Sequence, residues 1–291
     1  MALLEPVKPG KKFRLADCDP GDTAHVRREE AASDFERILD SQLPELQELL
    51  YAAYCNAVLI VLQGIDTSGK DGTIKHVMSR LNPAGVRVES FKAPNPREQA
   101  HDFLWRVHRV APARGWVGIF NRSHYEDVLV TRVEDLVPKS LWKDRYERIN
   151  DFERMLVREN NTIVMKFFLY ISKEEQKKRL LAREDDKSKA WKLSVTDWEA
   201  YDKYDDYIDA YQDALEKCST DEAPWYVVPA DHKWFRNLAV AQTIADTLRP
   251  YEKVWRQRLT ERGERILKEI EAQKAGLKLE RRRAPRALGE L

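Results

Sequence analysis

The chain has 291 residues, with 50 Lys and Arg against 49 Asp and Glu, a net charge of +1. That length allows two domains at ~100–200 residues each, or one large α/β unit, and the even charge balance argues against a protein that coats nucleic acid. A hydrophobic share of 43%, with 8 Trp, 11 Tyr and 9 Phe, excludes a disordered chain and supplies a core.

Residues 1–22 carry prolines at 6, 9 and 20 and read as irregular. From 23 to 54, Phe35, Ile38, Leu39, Leu43, Leu46, Leu49 and Leu50 recur at helical steps, and Pro44 should divide the stretch into two helices. Residues 57–62, Ala-Val-Leu-Ile-Val-Leu, form an apolar run without polar alternation, as in a strand of a parallel sheet buried on both faces. A glycine-containing turn leads to a predicted helix over 70–81. Strands follow at 86–91, 116–120, 163–171 and 225–228, with helices at 98–110 and 141–160. Strands alternating with helices imply βαβ units and a parallel sheet covered on both sides. Residues 173–192 are dense in charge. Residues 196–215 form a helix in which Thr196-Asp-Trp-Glu199 has capping-box spacing and Tyr201, Tyr204, Ile208, Tyr211 and Leu215 make a packing stripe. From Lys233 on the chain is mostly helical and ends in Arg281-Arg-Arg283, a solvated basic tail with polyanion or subunit contact as the functional alternative.

Cys18, Cys55 and Cys218 lie far apart, which fits reduced thiols and gives no zinc site. The apolar run at 57–62 is far shorter than the ~18 residues of a membrane span, and residues 1–15 lack a secretory core. The expectation is a soluble cytoplasmic protein with neither membrane nor nucleic acid as partner.

The sharpest local feature is Gly64-Ile-Asp-Thr-Ser-Gly-Lys-Asp-Gly72, a GxxxxGK spacing after a buried strand and before a helix. Gly64, Gly69 and Gly72 let backbone N–H groups curl toward phosphate oxygens, the helix N-terminus, with Thr73 in its first turn as a further binding candidate, adds partial positive charge, and Lys70 adds a full one. The position after Lys70, commonly Ser or Thr in such loops, is Asp71, and Asp66 lies inside the loop. A carboxylate facing phosphate needs a cation between them, so Asp66 is a candidate Mg2+ ligand, with Mn2+ as an alternative ion. The third strand runs into Asn121-Arg-Ser-His-Tyr-Glu-Asp127 at the carboxyl end of the sheet, where ligands collect. There Arg122 could neutralise phosphate, while Glu126 or Asp127 could hold metal or orient a nucleotide. His76, His101 and His108 fall in helical stretches and read as structural; His124 sits in the site segment.

Together with Phe91-Lys-Ala-Pro94 and Asp102-Phe-Leu-Trp-Arg106, these motifs make the chain resemble the second family of polyphosphate kinases over about residues 35–256. The resemblance implies an α/β, P-loop kinase-like three-layer sandwich: a mostly parallel five-stranded sheet, helices on both faces and a helical lid. It divides the chain into an N-terminal helical extension (1–55), a phosphotransferase core (56–256) with its lid at about 173–200, and a basic helical tail (257–291). It implies reversible, Mg2+-dependent phosphoryl transfer from inorganic polyphosphate to AMP or ADP in a homo-oligomer (a tetramer or dimer of dimers), and leaves open whether guanine nucleotides are accepted. Lys70 then resembles the loop lysine and Asp66 a metal carboxylate. Arg122 matches the arginine after the third strand, Lys92 a basic residue near the polyphosphate path, and Arg179 and Arg183 the lid arginines. Many members carry Asp where this chain has Asn121, so Asp127 is the expected second metal carboxylate. The competing reading is an ATP-dependent nucleotide or small-molecule kinase.

Overall fold

The sheet is built from β1 (Ala57–Gln63), β2 (Val86–Ser90), β3 (Val117–Asn121), β4 (Thr162–Tyr170) and β5 (Trp225–Pro229). The computed structural model describes residues 2–186 and 195–274. Within them the strands lie in the order β2-β3-β1-β4-β5, every pairing parallel. This is the α/β sheet expected from the alternating pattern. β1 is buried along its whole length and β4 everywhere but Tyr170, which is why both read as continuous apolar runs. β2, at one edge, has no buried residue: Arg87, Val88 and Ser90 are exposed and Val86 and Glu89 half-buried. At the other edge the segment expected to be irregular covers β5. Pro6 bridges Tyr226, Val7 N–H donates to Trp225 O (2.8 Å), and Leu4, Val7 and Leu15 are buried. That contact blunts an open strand edge.

Helices α1 (Arg28–Arg37) and α2 (Leu43–Ala53) flank a π turn at Ile38–Gln42. The expected division at Pro44 is a π turn within one continuous helical stretch: Arg37, Ile38, Gln42 and Leu43 all keep right-handed helical backbone, and Pro44 follows just after the wider turn. The remaining helices are α3 (Lys70–Val77), α4 (Pro96–Gln99), α5 (Trp105–His108), α6 (Val130–Val133), α7 (Lys139–Asn160), α8 (Lys173–Asp185), α9 (Val195–Asp202), α10 (Tyr204–Cys218), α11 (Lys233–Leu248) and α12 (Glu252–Lys274). α1 packs on α11, α2 packs on α11 and α12, and their apolar residues join the core around the sheet.

Three expected helices differ. The helix expected over 98–110 is two short ones. The Asp102 carboxylate accepts from Leu104 N–H (3.0 Å), and such a local bond competes with helix continuation. The helix from Lys70 stops at Val77, ahead of a turn in which the Asn82 side chain accepts from Ala84 N–H (2.9 Å). The 196–215 helix is interrupted at Lys203, and the Thr196 side chain lies outside the described residues. So do Lys187, Lys189, Lys192, part of the expected lid (187–194) and Arg281–Arg283.

In the parallel register Leu62 lies beside Asn121 and Gln63 beside Phe168. The carboxyl ends of β1, β3 and β4 therefore open at one end of the sheet, and the segments leaving β1 and β3 face each other there.

Candidate active site

Gly64 and Gly69 are glycines for local reasons. Gly64 has φ +155°, and a Cβ there would lie 2.5 Å from Ser68 Oγ and 2.8 Å from Leu169 O. Gly69 has φ +102°, and a Cβ would lie 1.9 Å from an Arg236 nitrogen. Thr67, between them, holds φ +66°, a conformation costly for a β-branched residue. The loop delivers Lys70 to the first turn of α3, and Thr73, fully buried, caps Gly69 O with its N–H (2.9 Å) and its hydroxyl (3.1 Å). Gly72 lies over the same arginine, a Cβ there meeting Arg236 at 3.4 Å.

Lys70 is folded back over the loop it follows, donating to Gly64 O (2.6 Å) and Ile65 O (3.2 Å). Burial, then the neighbouring Arg122, lower its pKa to about 8 despite the opposing pull of Asp66, Glu126 and Asp71. Above that pH the substrate-free ammonium loses its proton, while a bound phosphate favours the charged form. Binding of an inorganic phosphate chain should therefore take up a proton above pH 8 but not at pH 7, and weaken by up to ~10-fold per pH unit. Calorimetric titration with tripolyphosphate, in two buffers of different ionisation heat at pH 7 and pH 9, measures this directly. Equal uptake at both would contradict it.

Opposite the loop, Arg122 adopts φ +58° at the end of β3. That strained turn brings its guanidinium between Asp66, to which it donates, and Glu126 (3.0 Å). The Glu126 charge first, against burial, and then Asp66 raise the Arg122 pKa further. Asn121 donates from its amide nitrogen to Asp71 (2.7 Å). An aspartate at 121 would face Asp71 there, two like charges in hydrogen-bond range, so the amide removes a repulsion. Gly64, Asp66, Arg122, Glu126, Tyr207 and Tyr211 line a cavity of about 20 Å³. It is roughly the size that holds one water, so admitting a phosphoryl group requires the Asp66–Arg122 pair to part.

Of the sequence-derived candidates, Asp66, Lys70, Asp71, Asn121, Arg122 and Glu126 come together here. Asp127 does not. It lies in the tight turn His124–Asp127, where consecutive side chains diverge, and its carboxylate is held by Arg145 (3.3 Å) and Arg106 (3.7 Å). Burial raises its pKa against both arginines. The carboxylate that shares Arg122 with Asp66 and lines the same cavity is Glu126, whereas the carboxylate of Asp127, the expected second metal ligand, is turned to Arg145 and Arg106. Arg179 also has a different environment from the expected lid arginine. Its five N–H donors go to Glu175 (2.8 Å), Thr67 O and Ser68 O (3.0 and 3.1 Å), and Ala230 O and Asp231 O (2.6 and 2.9 Å). It bolts the phosphate loop to α8 and to the chain leaving β5. Arg183 is half-buried one turn further along α8, with no hydrogen bond to the loop among the described residues. Lys92, with Arg87, Arg106, Arg109, Asn95 and Glu98, lines a mainly basic cavity of about 360 Å³ beside the crevice.

Sequence reasoning missed three supports. The Tyr211 hydroxyl accepts from Gly64 N–H (3.0 Å) and donates to Gln63 (3.3 Å), so the packing stripe also holds the loop entrance. Arg236 lies beneath Gly69. Beneath the Asn121–Asp127 segment, fully buried Lys166 spends its three protons on Glu153, Tyr125 Oη (2.9 Å) and Cys218 O (2.6 Å). Glu153 also accepts from Tyr125 (3.0 Å) and lies 3.1 Å from His124 Nε2. His124 is thus a buried support rather than a group in the crevice. Burial pushes the Glu153 carboxyl up, but Lys166 and His124 outweigh it, leaving it below its ordinary range.

The donors at the crevice suit a hard divalent cation. Asp66, Glu126, Asn121 and Asp71 offer oxygens, and the Thr67 and Ser68 hydroxyls are buried in the loop without a hydrogen-bond partner.

A parallel sheet whose first strand runs into a glycine loop, a helix and a loop lysine defines a P-loop phosphate-binding fold, common to kinases and nucleotide hydrolases. The polyphosphate kinase 2 family model matches residues 26–256, and the chain belongs to that family. It is 49% identical over 243 residues to the AMP/ADP-polyphosphate phosphotransferase of Meiothermus ruber, covering 83% of this chain and 91% of that one. It is 46% identical over 234 residues to the ADP-polyphosphate phosphotransferase of Rhodopseudomonas palustris (75% and 81%). Polyphosphate kinase 2 from Arthrobacter aurescens superposes with a TM-score of 0.79 at 43% identity, covering 85% of this chain and 92% of that one.

Proposed function

We propose that this chain transfers the terminal phosphoryl group of inorganic polyphosphate to AMP and ADP, reversibly, with Mg2+ or Mn2+ as the ion. The observation that carries this is the loop Gly64–Gly72, whose Lys70 lies within the electrostatic reach of Arg122, Asp66 and Glu126 at the crevice. An acceptor phosphate is already ionised at neutral pH, so the site needs no strong base. Its work is to bring two polyanions together and hold them in line. Lys70 and the loop N–H groups suit the phosphates at the point of transfer. Arg122, released from Asp66, suits the transferring group. The basic cavity lined by Arg87, Lys92, Arg106 and Arg109 suits a further stretch of anionic chain. Asp66 and Glu126 would hold the ion, which supplies charge neutralisation between phosphates. Closure of the lid that the family resemblance implies would exclude water and limit hydrolysis.

The exposed apolar residues of α12, Leu259, Ile266, Leu267 and Ile270, suit the homo-oligomer implied by the family resemblance. The three free cysteines suit a reducing cytoplasm. The test is incubation with polyphosphate and Mg2+ without ATP, supplying AMP and ADP separately and assaying ADP and ATP. Formation of ADP from AMP and of ATP from ADP is expected. Turnover only when ATP is the donor would favour an ATP-dependent kinase.

A further inference from the structure

Arg236 stands in the first turn of α11 and is almost fully buried, directly behind the phosphate loop. One terminal nitrogen donates to Ser68 O (3.2 Å), while Nε and the other terminal nitrogen donate to Asn237 Oδ1 (3.1 and 2.8 Å). The guanidinium fills the space that a side chain at 69 would need. Every acceptor it has is neutral: among the described residues it forms no ion pair with a carboxylate. Its nearest charged influence is another cation, Arg179, and burial with that repulsion lowers its pKa to about 10. A buried charge without a counter-charge costs several kcal/mol. Glu175 takes part of the Arg179 charge, and Asp66 and Glu126 take that of Arg122. Arg236 therefore leaves net positive charge under the turn whose N–H groups are to receive phosphate.

We propose that Arg236 is a positioning residue of the phosphate loop, which fixes the Ser68–Gly69 peptide from behind and uses the incoming polyanion as its missing counter-charge. The proposal rests on the reading that the loop binds polyphosphate and nucleotide phosphates. It deepens that reading by assigning substrate affinity to a side chain on the far face of the loop.

The full-length chain and its Arg236→Met, Arg236→Gln and Arg236→Lys variants test it. The readouts are melting temperature with and without inorganic tripolyphosphate, and KM and kcat for polyphosphate with ADP as acceptor. Without ligand the neutral variants lose the donors to Ser68 O and Asn237 Oδ1 as well as an unpaired buried charge, two opposed effects, so the ligand-induced rise in melting temperature is the readout and not its absolute value. Their tripolyphosphate-induced rise should fall to less than half that of wild type. Their KM should rise about 10-fold, less than the ~10²–10³-fold effect of a donor that touches the reacting group, with a smaller change in kcat. The lysine variant should keep KM within about threefold. Neutral variants with wild-type KM and wild-type stabilisation would overturn the proposal, as would a lysine variant as impaired as methionine. Should neither neutral variant fold, the lysine variant decides, a KM raised 10-fold or more counting against. A wild-type chain stabilised by neither tripolyphosphate nor ADP overturns the functional reading and the proposal together.

Discussion

Replacing Lys70 with methionine should lower phosphoryl transfer about 10²–10³-fold, the loss typical of one preorganised donor at a charged transition state. In the substrate-free chain the ammonium is held by two carbonyls of its own loop, at 2.6 and 3.2 Å, and is largely buried. Those carbonyls are neutral acceptors, so an arriving phosphate outcompetes them, and the charge that was costly to bury becomes favourable. Methionine keeps the shape and removes only the charge and its donors. The loop geometry should survive, since Tyr211, Arg179 and Arg236 hold it from outside Lys70. Steady-state kinetics beside a circular-dichroism spectrum separate the two effects. A folded Lys70→Met chain with turnover within threefold of wild type would remove Lys70 from the transfer step.

The largest effect on stability should come from Glu153→Gln, about 3–5 kcal/mol. The substitution keeps the volume but leaves the Lys166 ammonium buried without a counter-charge, between Tyr125 Oη and Cys218 O. Lys166→Met should cost a similar amount by stranding the Glu153 carboxylate. The double variant should cost much less than the two single changes combined, because neither charge is then left alone. Because the folded carboxyl lies below its ordinary pKa of 4.5, this contribution is present above that value and lost as pH falls through the lower folded one. Denaturant midpoints of the three variants at pH 7 decide the point. Single losses below 1 kcal/mol, or full additivity, would contradict it.

The elements most visible in the sequence are those whose signal is local. The run 57–62 announces a strand buried on both faces, and the glycines after it mark a turn that only a small residue tolerates. Asn121–Asp127 is legible as a site segment because the parallel sheet must bring it beside the loop. Which acid of that segment faces the crevice is not legible. The positive φ of Arg122 and the tight turn after Ser123 send Glu126 toward Asp66 and Asp127 toward Arg106 and Arg145. Arg236 leaves no local mark, since it meets Ser68 across 168 positions of chain. Lys166 did leave one. A lysine inside Ile163-Val-Met-Lys-Phe-Phe168, a strand buried on both faces, has to find a buried acid, although the sequence does not say which.

The most direct measurement is a crystal structure of the chain with ADP and tripolyphosphate. Phosphate oxygens should lie within hydrogen-bond distance of the Gly69 and Lys70 N–H groups, with Lys70 Nζ withdrawn from Gly64 O and Arg122 parted from Asp66. Phosphates bound elsewhere, with Lys70 still resting on Gly64 O, would contradict the assignment of this loop as the place of transfer.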